Sequence, residues 1–342
     1  MRICVFGAGA IGGYLAHGLA QVDGVDLSVV ARGTNLAAMM TDGLTLDRGG
    51  LRHTVPVRAT ADPRELGEQD VVIIGLKAHQ AWQAAGDMAP LLGPKTAVLT
   101  CQNGVPWWYF HKLAGRFEGR RLESVDPDSR QWTLIGPARA IGCVVYPATE
   151  LIQPGVIKHV YGDKFAIGEP DGNPSERTTR LSQVLTAAGF KAPVLDDIRS
   201  EIWLKLWGNL CFNPISALTR ATLDVVATDP DTRILAAAMM TEAETVARTL
   251  GASFRVSLER RIDGAAKVGA HRTSMLQDLE RGRAMEIDAL VTAVQEMGRL
   301  AGVATPTIDI VLGLVRQLGR TQGAYTGIAL PPAPAAALAA AV

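Results

Sequence analysis

The chain has 342 residues, 48% of them apolar, which is enough for two domains and a sizeable core and excludes a disordered chain. Lys+Arg and Asp+Glu are equal at 34 each, so no global field favours nucleic acid or an anionic membrane. The four cysteines (Cys4, Cys101, Cys143, Cys211) are scattered without a C-x-x-C pair, which argues against a disulfide framework or zinc site. No metal is expected. With no signal peptide before the first strand and no apolar run of membrane-spanning length, a cytoplasmic location is expected.

Residues 1–6 (MRICVF) form a short apolar, β-favouring run that ends at Gly7-Ala8-Gly9-Ala10-Ile11-Gly12, and a helical pattern follows at once. Strand, G-x-G-x-x-G, helix is the context that the dinucleotide fingerprint requires. Gly7 allows a tight turn, Gly9 lets a pyrophosphate approach the backbone, and Gly12 lets helix and strand pack closely. The helix start then offers N–H groups and a positive dipole to phosphates. The second strand ends in Arg32, about twenty residues after the glycines, where an acidic residue would read an unmodified ribose. Arginine there can pair with a 2′-phosphate, so the sequence favours NADP(H) over NAD(H), the alternative being a solvated arginine in the loop Arg32-Gly-Thr-Asn-Leu.

Further strands are expected at 44–48, 53–57, 71–75 and 97–100, the last two as buried parallel strands. Lys77 follows the first of that pair and Gln102-Asn103-Gly104 the second. Ligands of open α/β sheets bind at such strand ends, so Lys77 and Asn103 are candidate site residues. Charge and a Pro-Asp turn mark 118–135 as an inserted surface loop. The aromatic run Trp107-Trp108-Tyr109-Phe110 reads either as core or as the wall of a substrate pocket. Strands resume at 140–146, 156–161 and 165–168, a helix is expected at 176–188, and a last strand near 192–195.

From Asp197 helical periodicity takes over, with helices expected at 198–213, 230–250, 255–264, 274–302 and 306–319. Pro214 is expected to kink or end the first. On that helix Lys205, Asn209 and Asn213 are spaced i, i+4, i+8 and fall within an arc of about 80°. Trp203, Trp207 and Leu210 occupy roughly the opposite side. One ammonium and two carboxamides suit a polar ligand, although spacing alone serves a solvated stripe equally well. Ser274 begins a Ser-Met-Leu-Gln capping pattern, and Glu286 sits downstream amid Arg283, Met285 and Ile287.

Taken together, these residues resemble the ketopantoate reductase (2-dehydropantoate 2-reductase) family. The likeness runs in order through Gly7–Gly12, Lys77, Gln102-Asn103-Gly104, Lys205…Asn209…Asn213-Pro214, Ser274-Met-Leu-Gln-Asp278 and Glu286-Ile-Asp288, over residues 1 to about 320. It implies an α/β fold in which an N-terminal Rossmann-type doubly wound sheet is joined to a C-terminal all-helical domain, with the active site in the cleft between them. The expected boundaries are 1–196, 197–325 and a flexible tail at 326–342. By the same likeness Arg32, Lys77, Asn103, Ala148 and Glu286 would contact NADP(H) along with the fingerprint. Lys205 would be the general acid, assisted by Glu286, and Asn103, Asn209, Asn213 and Ser274 would hold the substrate.

The residue chemistry agrees, because reducing a 2-oxo acid needs a hydride donor, a proton for the developing alkoxide and groups that grip the carboxylate. The sequence departs from the family where asparagine is common: His271 and Leu223 stand in those positions. These departures, the 118–135 insertion and the Trp pair leave the acyl group of the substrate open, so a related reductase for a bulkier 2-oxo acid is one alternative; a non-catalytic NADP sensor is another, against which Lys205 and Glu286 speak. The expected partner is a small 2-oxo acid rather than nucleic acid or a membrane, with a homodimer as the expected assembly.

Overall fold

A computed structural model describes residues 1–327, so the expected tail lies outside the described residues from 328 onward. The chain divides into two compact units, Met1–Arg121 with Ser129–Arg199, and Leu122–Asp128 with Ser200 onward.

The first unit contains eleven strands: β1 (Arg2–Phe6), β2 (Asp26–Val30), β3 (Leu44–Arg48), β4 (Leu51–Val55), β5 (Arg58–Thr60), β6 (Gln69–Ile74), β7 (Leu92–Thr100), β8 (Ala140–Val145), β9 (Ala148–Gln153), β10 (Val156–Tyr161) and β11 (Phe165–Gly168). Its helices are α1 (Ala10–Leu19), α2 (Gly33–Asp42), the short α3 (Ala78–Ala81) and α4 (Arg130–Leu134), and α5 (Glu176–Ala187). The large sheet has the order β11-β8-β7-β6-β1-β2-β5, parallel except where β11 runs against β8. Its six parallel strands thus follow the order of a doubly wound nucleotide-binding sheet, with the switch point between β1 and β6. The central strands are apolar on both faces because both faces are covered: Ile3 to Val5 and Val72 to Ile74 are inaccessible to solvent.

A second sheet, β4-β3-β10-β9, takes the expected strands 44–48 and 53–57 away from the large sheet. Helix α1 packs between the two sheets. A Cβ on Gly13 would stand 2.7 Å from Ile157 of β10, which shows how closely they approach. The strand expected near 192–195 is reduced to isolated bridges, Lys191 to Lys164 and Val194 to Ile167.

Helix α6 (Ile198–Thr219) leads into the second unit, followed by α7 (Leu223–Thr228), α8 (Pro230–Thr249), α9 (Leu258–Ala266), α10 (Ser274–Glu280), α11 (Ala293–Ala301) and α12 (Pro306–Thr321). Three expectations are corrected here. Helix α6 runs through Pro214 to Thr219, because a helix held by packing on its buried side chains tolerates one missing N–H. The helix expected over 274–302 is broken. Gly282 at φ +63° ends α10, with Arg283 N–H donating to Asp278 O at 2.8 Å and Gly282 N–H to Leu279 O at 3.2 Å. That pairing is the left-handed glycine termination of a helix. The chain becomes helical again only at a π-helical turn, Asp288–Thr292. Third, 118–135 is not a solvent loop throughout. Leu122 to Asp128 belongs to the second unit, where Glu296 of α11 accepts from the N–H groups of Glu123 (2.9 Å) and Ser124 (3.0 Å).

Candidate active site

In the first unit the glycine loop after β1 behaves as its sequence demands. Gly7 has φ +99°, and a Cβ there would stand 2.6 Å from Leu76, while one on Gly12 would stand 1.9 Å from Gly7 O. Neither position therefore accepts a side chain. At Gly9 the nearest atom to such a Cβ is 3.9 Å away, so this residue offers open backbone. Gly7, Ala8 and Gly9 border a cavity of about 620 Å³, together with Arg32, Asn35, Asp62, Arg64, Leu76 and Asp87. The cavity lies outside the carboxyl ends of β1, β2 and β6, at the switch point, where a dinucleotide belongs. Size, glycine cradle and the N-terminus of α1 all fit a nicotinamide dinucleotide.

Arg32 is the residue before α2, which begins without a side-chain cap. Among the described residues its exposed guanidinium has no hydrogen-bond or ion-pair partner, so it retains its charge for a ligand. Arg64 differs, since it grips Asp62 through two N–H groups at 2.7 and 2.8 Å. That grip holds the Asp62 carboxyl below its ordinary range, and the pair is neutral as a unit. Arg32 therefore carries the uncompensated positive charge at this end of the cavity.

Lys77 and Asn103 sit past the ends of the adjacent parallel strands β6 and β7. Gln102 Nε2 ties these two loops together by donating to Leu76 O at 2.8 Å. Lys77 precedes α3, and its backbone N–H meets Gln80 Oε1 at 3.3 Å. Ala148 opens β9, the outer strand of the small sheet, paired with Tyr161. None of these three lines the 620 Å³ cavity, nor do Ala10, Ile11 and Gly12.

In the second unit α6 carries Lys205 and Asn209 half-buried and Asn213 buried. Trp203, Trp207 and Leu210 are inaccessible on its other side, and Trp207 Nε1 donates to Met240 O at 2.7 Å. This polar row is not a solvated stripe. Asn213 Nδ2 donates to Ser274 Oγ at 3.4 Å, which brings together two residues singled out in the sequence. Ser274 is not the cap of its helix. Thr273 takes that role by accepting from Leu276 N–H at 3.3 Å, and this leaves the Ser274 hydroxyl to other partners. Glu286 lies in the irregular stretch between Gly282 and the π-helical turn, an arrangement often found at functional sites. Its neighbours are pinned: Met285 N–H donates to Ala324 O at 2.9 Å, and Tyr325 Oη donates to Asp288 Oδ1 at 2.8 Å.

The aromatic run resolves to core. Trp107, Trp108, Tyr109 and Phe110 are all buried, and a Cβ on Gly142 of β8 would stand 2.9 Å from the Trp108 ring. Leu223 and His271, the two departures from the family pattern, are joined by a 2.8 Å bond from Leu223 N–H to His271 O. Sequence reasoning missed Asn35, Asp62 and Arg64. The signal at Asp62-Pro-Arg64 was a helix-start pattern, while Asn35 stood only three residues beyond Arg32.

The family model described as ketopantoate reductase PanE/ApbA matches residues 3–172, and its C-terminal counterpart matches 197–319. A 2-dehydropantoate 2-reductase of Mesorhizobium japonicum is 57% identical over 95% of this chain and 100% of its own length. A solved candidate ketopantoate reductase from Ralstonia solanacearum MolK2 shares 44% identity and a TM-score of 0.91, over 95% of this chain and 99% of that one. A 2-dehydropantoate 2-reductase structure from Geobacter metallireducens GS-15 shares 26% identity and a TM-score of 0.80, covering 93% and 99% respectively. Two family models that follow one another along the chain and a near-complete relative at this identity leave one conclusion: the chain belongs to the ketopantoate reductase family.

Proposed function

We propose that the chain reduces 2-dehydropantoate to (R)-pantoate with NADPH, in the supply of pantothenate for coenzyme A. The observation that carries this reading is the polar row of α6, Lys205, Asn209 and buried Asn213, completed by the bond from Asn213 to Ser274. When bound, the cofactor supplies a hydride to the carbonyl carbon. Lys205 gives the proton to the carbonyl oxygen, and its charge stabilises the alkoxide as it develops. Asn209, Asn213 and Ser274 grip the carboxylate and hydroxyl, with amides that both donate and accept. Glu286 orients Lys205 or the nicotinamide ribose, and Lys77 and Asn103 act from the strand ends of the first unit. Arg32, with its uncompensated charge, supports NADPH over NADH.

Burial of Trp107 and Trp108 takes the Trp pair out of the case for a bulkier acyl group, which then rests on His271 and Leu223. Among the described residues no helix is long and apolar enough to cross a membrane. We extend the proposal to a cytoplasmic location, which the scattered cysteines support, and to a homodimer, whose assembly sedimentation would measure. The deciding experiment is initial-rate reduction of 2-dehydropantoate with each cofactor. Turnover that favours NADPH is expected; absence of turnover, or preference for NADH, overturns the reading.

A further inference from the structure

The fingerprint loop is held from outside by a side chain that neither its own strand nor its own helix supplies. Asn35, in the first turn of α2, donates from Nδ2 to Ala8 O at 2.7 Å, and its Oδ1 accepts from Gly155 N–H at 2.7 Å. Both of its polar atoms are therefore used, one on the loop between Gly7 and Gly9 and one on the turn between β9 and β10. That turn is itself fixed: Gly155 has φ +72°, and its carbonyl accepts from Thr45 N–H of β3 at 2.8 Å. A Cβ on Gly155 would stand 3.2 Å from Ala38 one turn further along α2, so hairpin and helix are packed here as well as bonded.

The consequence for the loop follows from the planar trans peptide. Carbonyl and N–H of one peptide unit point in opposite directions, so pinning Ala8 O to Asn35 fixes the direction of the Gly9 N–H. Among the described residues that N–H donates to no backbone carbonyl, and Gly9 borders the cavity. An N–H in this place is the donor that a pyrophosphate oxygen takes.

We propose that Asn35 is a positioning residue for the cofactor pyrophosphate, holding the Ala8–Gly9 peptide so that its N–H faces the cavity. This rests on the reading of the cavity as a nicotinamide dinucleotide site. Asn35 takes no part in discriminating the 2′-phosphate, which distinguishes it from Arg32.

The test is binding titration of wild type and Asn35→Ala with NADPH, with NADH and with adenosine 2′-monophosphate, which has the 2′-phosphate but no pyrophosphate. The dissociation constants for NADPH and NADH should both rise, by about five- to tenfold for one lost hydrogen bond and the loosened loop, while that for adenosine 2′-monophosphate stays unchanged. Equal weakening of all three ligands would show a merely structural role, and no change in any would show none. Asn35→Ser, whose hydroxyl is too short to reach both partners, repeats the measurement if the alanine variant folds poorly. Should the 2′-phosphate reading itself fail, NADH against adenosine gives the same split, so the two failures are separable.

Discussion

Asn213 of α6 and Ser274, the first helical residue of α10, are joined by an amide-to-hydroxyl hydrogen bond of 3.4 Å. The bond is made possible by Thr273, which caps α10 and relieves Ser274 of that task. An amide with further lone pairs and an exposed hydroxyl beside it form a grip for a small oxygen-rich ligand. Asn213→Ala should therefore raise the Michaelis constant for 2-dehydropantoate by about 10- to 100-fold, the worth of a hydrogen bond to a charged group. NADPH binding in the absence of substrate should stay near wild type. Calorimetry on both ligands is the check, and a joint loss would mean that α6 has been damaged.

Loss of Lys205 should be felt in turnover. An ordinary lysine, with a pKa near 10.4, is charged at neutral pH and ready to protonate an alkoxide. Lys205→Ala should lose at least about a hundredfold in kcat, the lower end of what general acid catalysis supplies. Lys205→Arg should not restore it, since guanidinium keeps the charge but is a very poor proton donor. Steady-state kinetics with cofactor fluorescence as the folding control decides this, and near-normal turnover would move the acid elsewhere, with Lys77 next to be replaced.

Cofactor choice should follow Arg32. With the Arg64 charge spent on Asp62, removing Arg32 strips the cavity of its uncompensated cation. Arg32→Ala should weaken NADPH by about 1.5–3 kcal/mol, the range for a charge-assisted pair, and leave NADH almost unaffected. Parallel Michaelis constants for the two cofactors measure the difference; equal losses would show that Arg32 does not touch the 2′-phosphate.

Gly282 should matter more than its exposed position suggests. At φ +63° an alanine costs about 1–2 kcal/mol in the left-handed region, and the strain falls on the turn that separates Ser274 from Glu286. Gly282→Ala should lower the melting temperature by a few degrees and reduce kcat/KM together. Scanning calorimetry beside initial rates tests both, and an unchanged melting temperature would show that the turn relaxes freely.

Acid should destabilise the first unit through His17. Its Nε2 meets His53 O at 3.1 Å, while Gln21 Nε2 approaches its Nδ1 at 3.3 Å, a pattern that the neutral ring satisfies. Burial accordingly pushes the His17 pKa down from its ordinary 6.5. Below that ordinary value the unfolded chain binds the extra proton more readily than the folded one, so stability is lost as pH falls through about 6.5 and below. Melting temperatures between pH 7.5 and about 5 should fall for wild type and fall less for His17→Leu; identical slopes would place the acid sensitivity elsewhere.

Those parts of the protein governed by local chemistry could be read from the order of residues. Gly7 and Gly12 are dictated by a turn and a close packing that no other residue permits, and a strand followed by a helix could place them, with Gly9 between, in only one way. The buried strands beside them were legible because runs such as Val71 to Ile74 are apolar on both faces. The row of Lys205, Asn209 and Asn213 was legible as one face of a helix, because helical periodicity is local. Whether that face met solvent or protein was not local, and only the burial of Asn213 and its bond to Ser274 decided it. Pro214 suggested a helix end, yet packing along α6 outweighed the single missing N–H. Gly282 carried a termination signal that a long helical periodicity concealed, so the break that sets Glu286 apart from Ser274 emerged only in three dimensions. The same holds for Asn35, whose two partners lie 27 and 120 residues away along the chain. No periodicity or spacing reports such a bond, because it exists only after α2 has docked between the glycine loop and the hairpin.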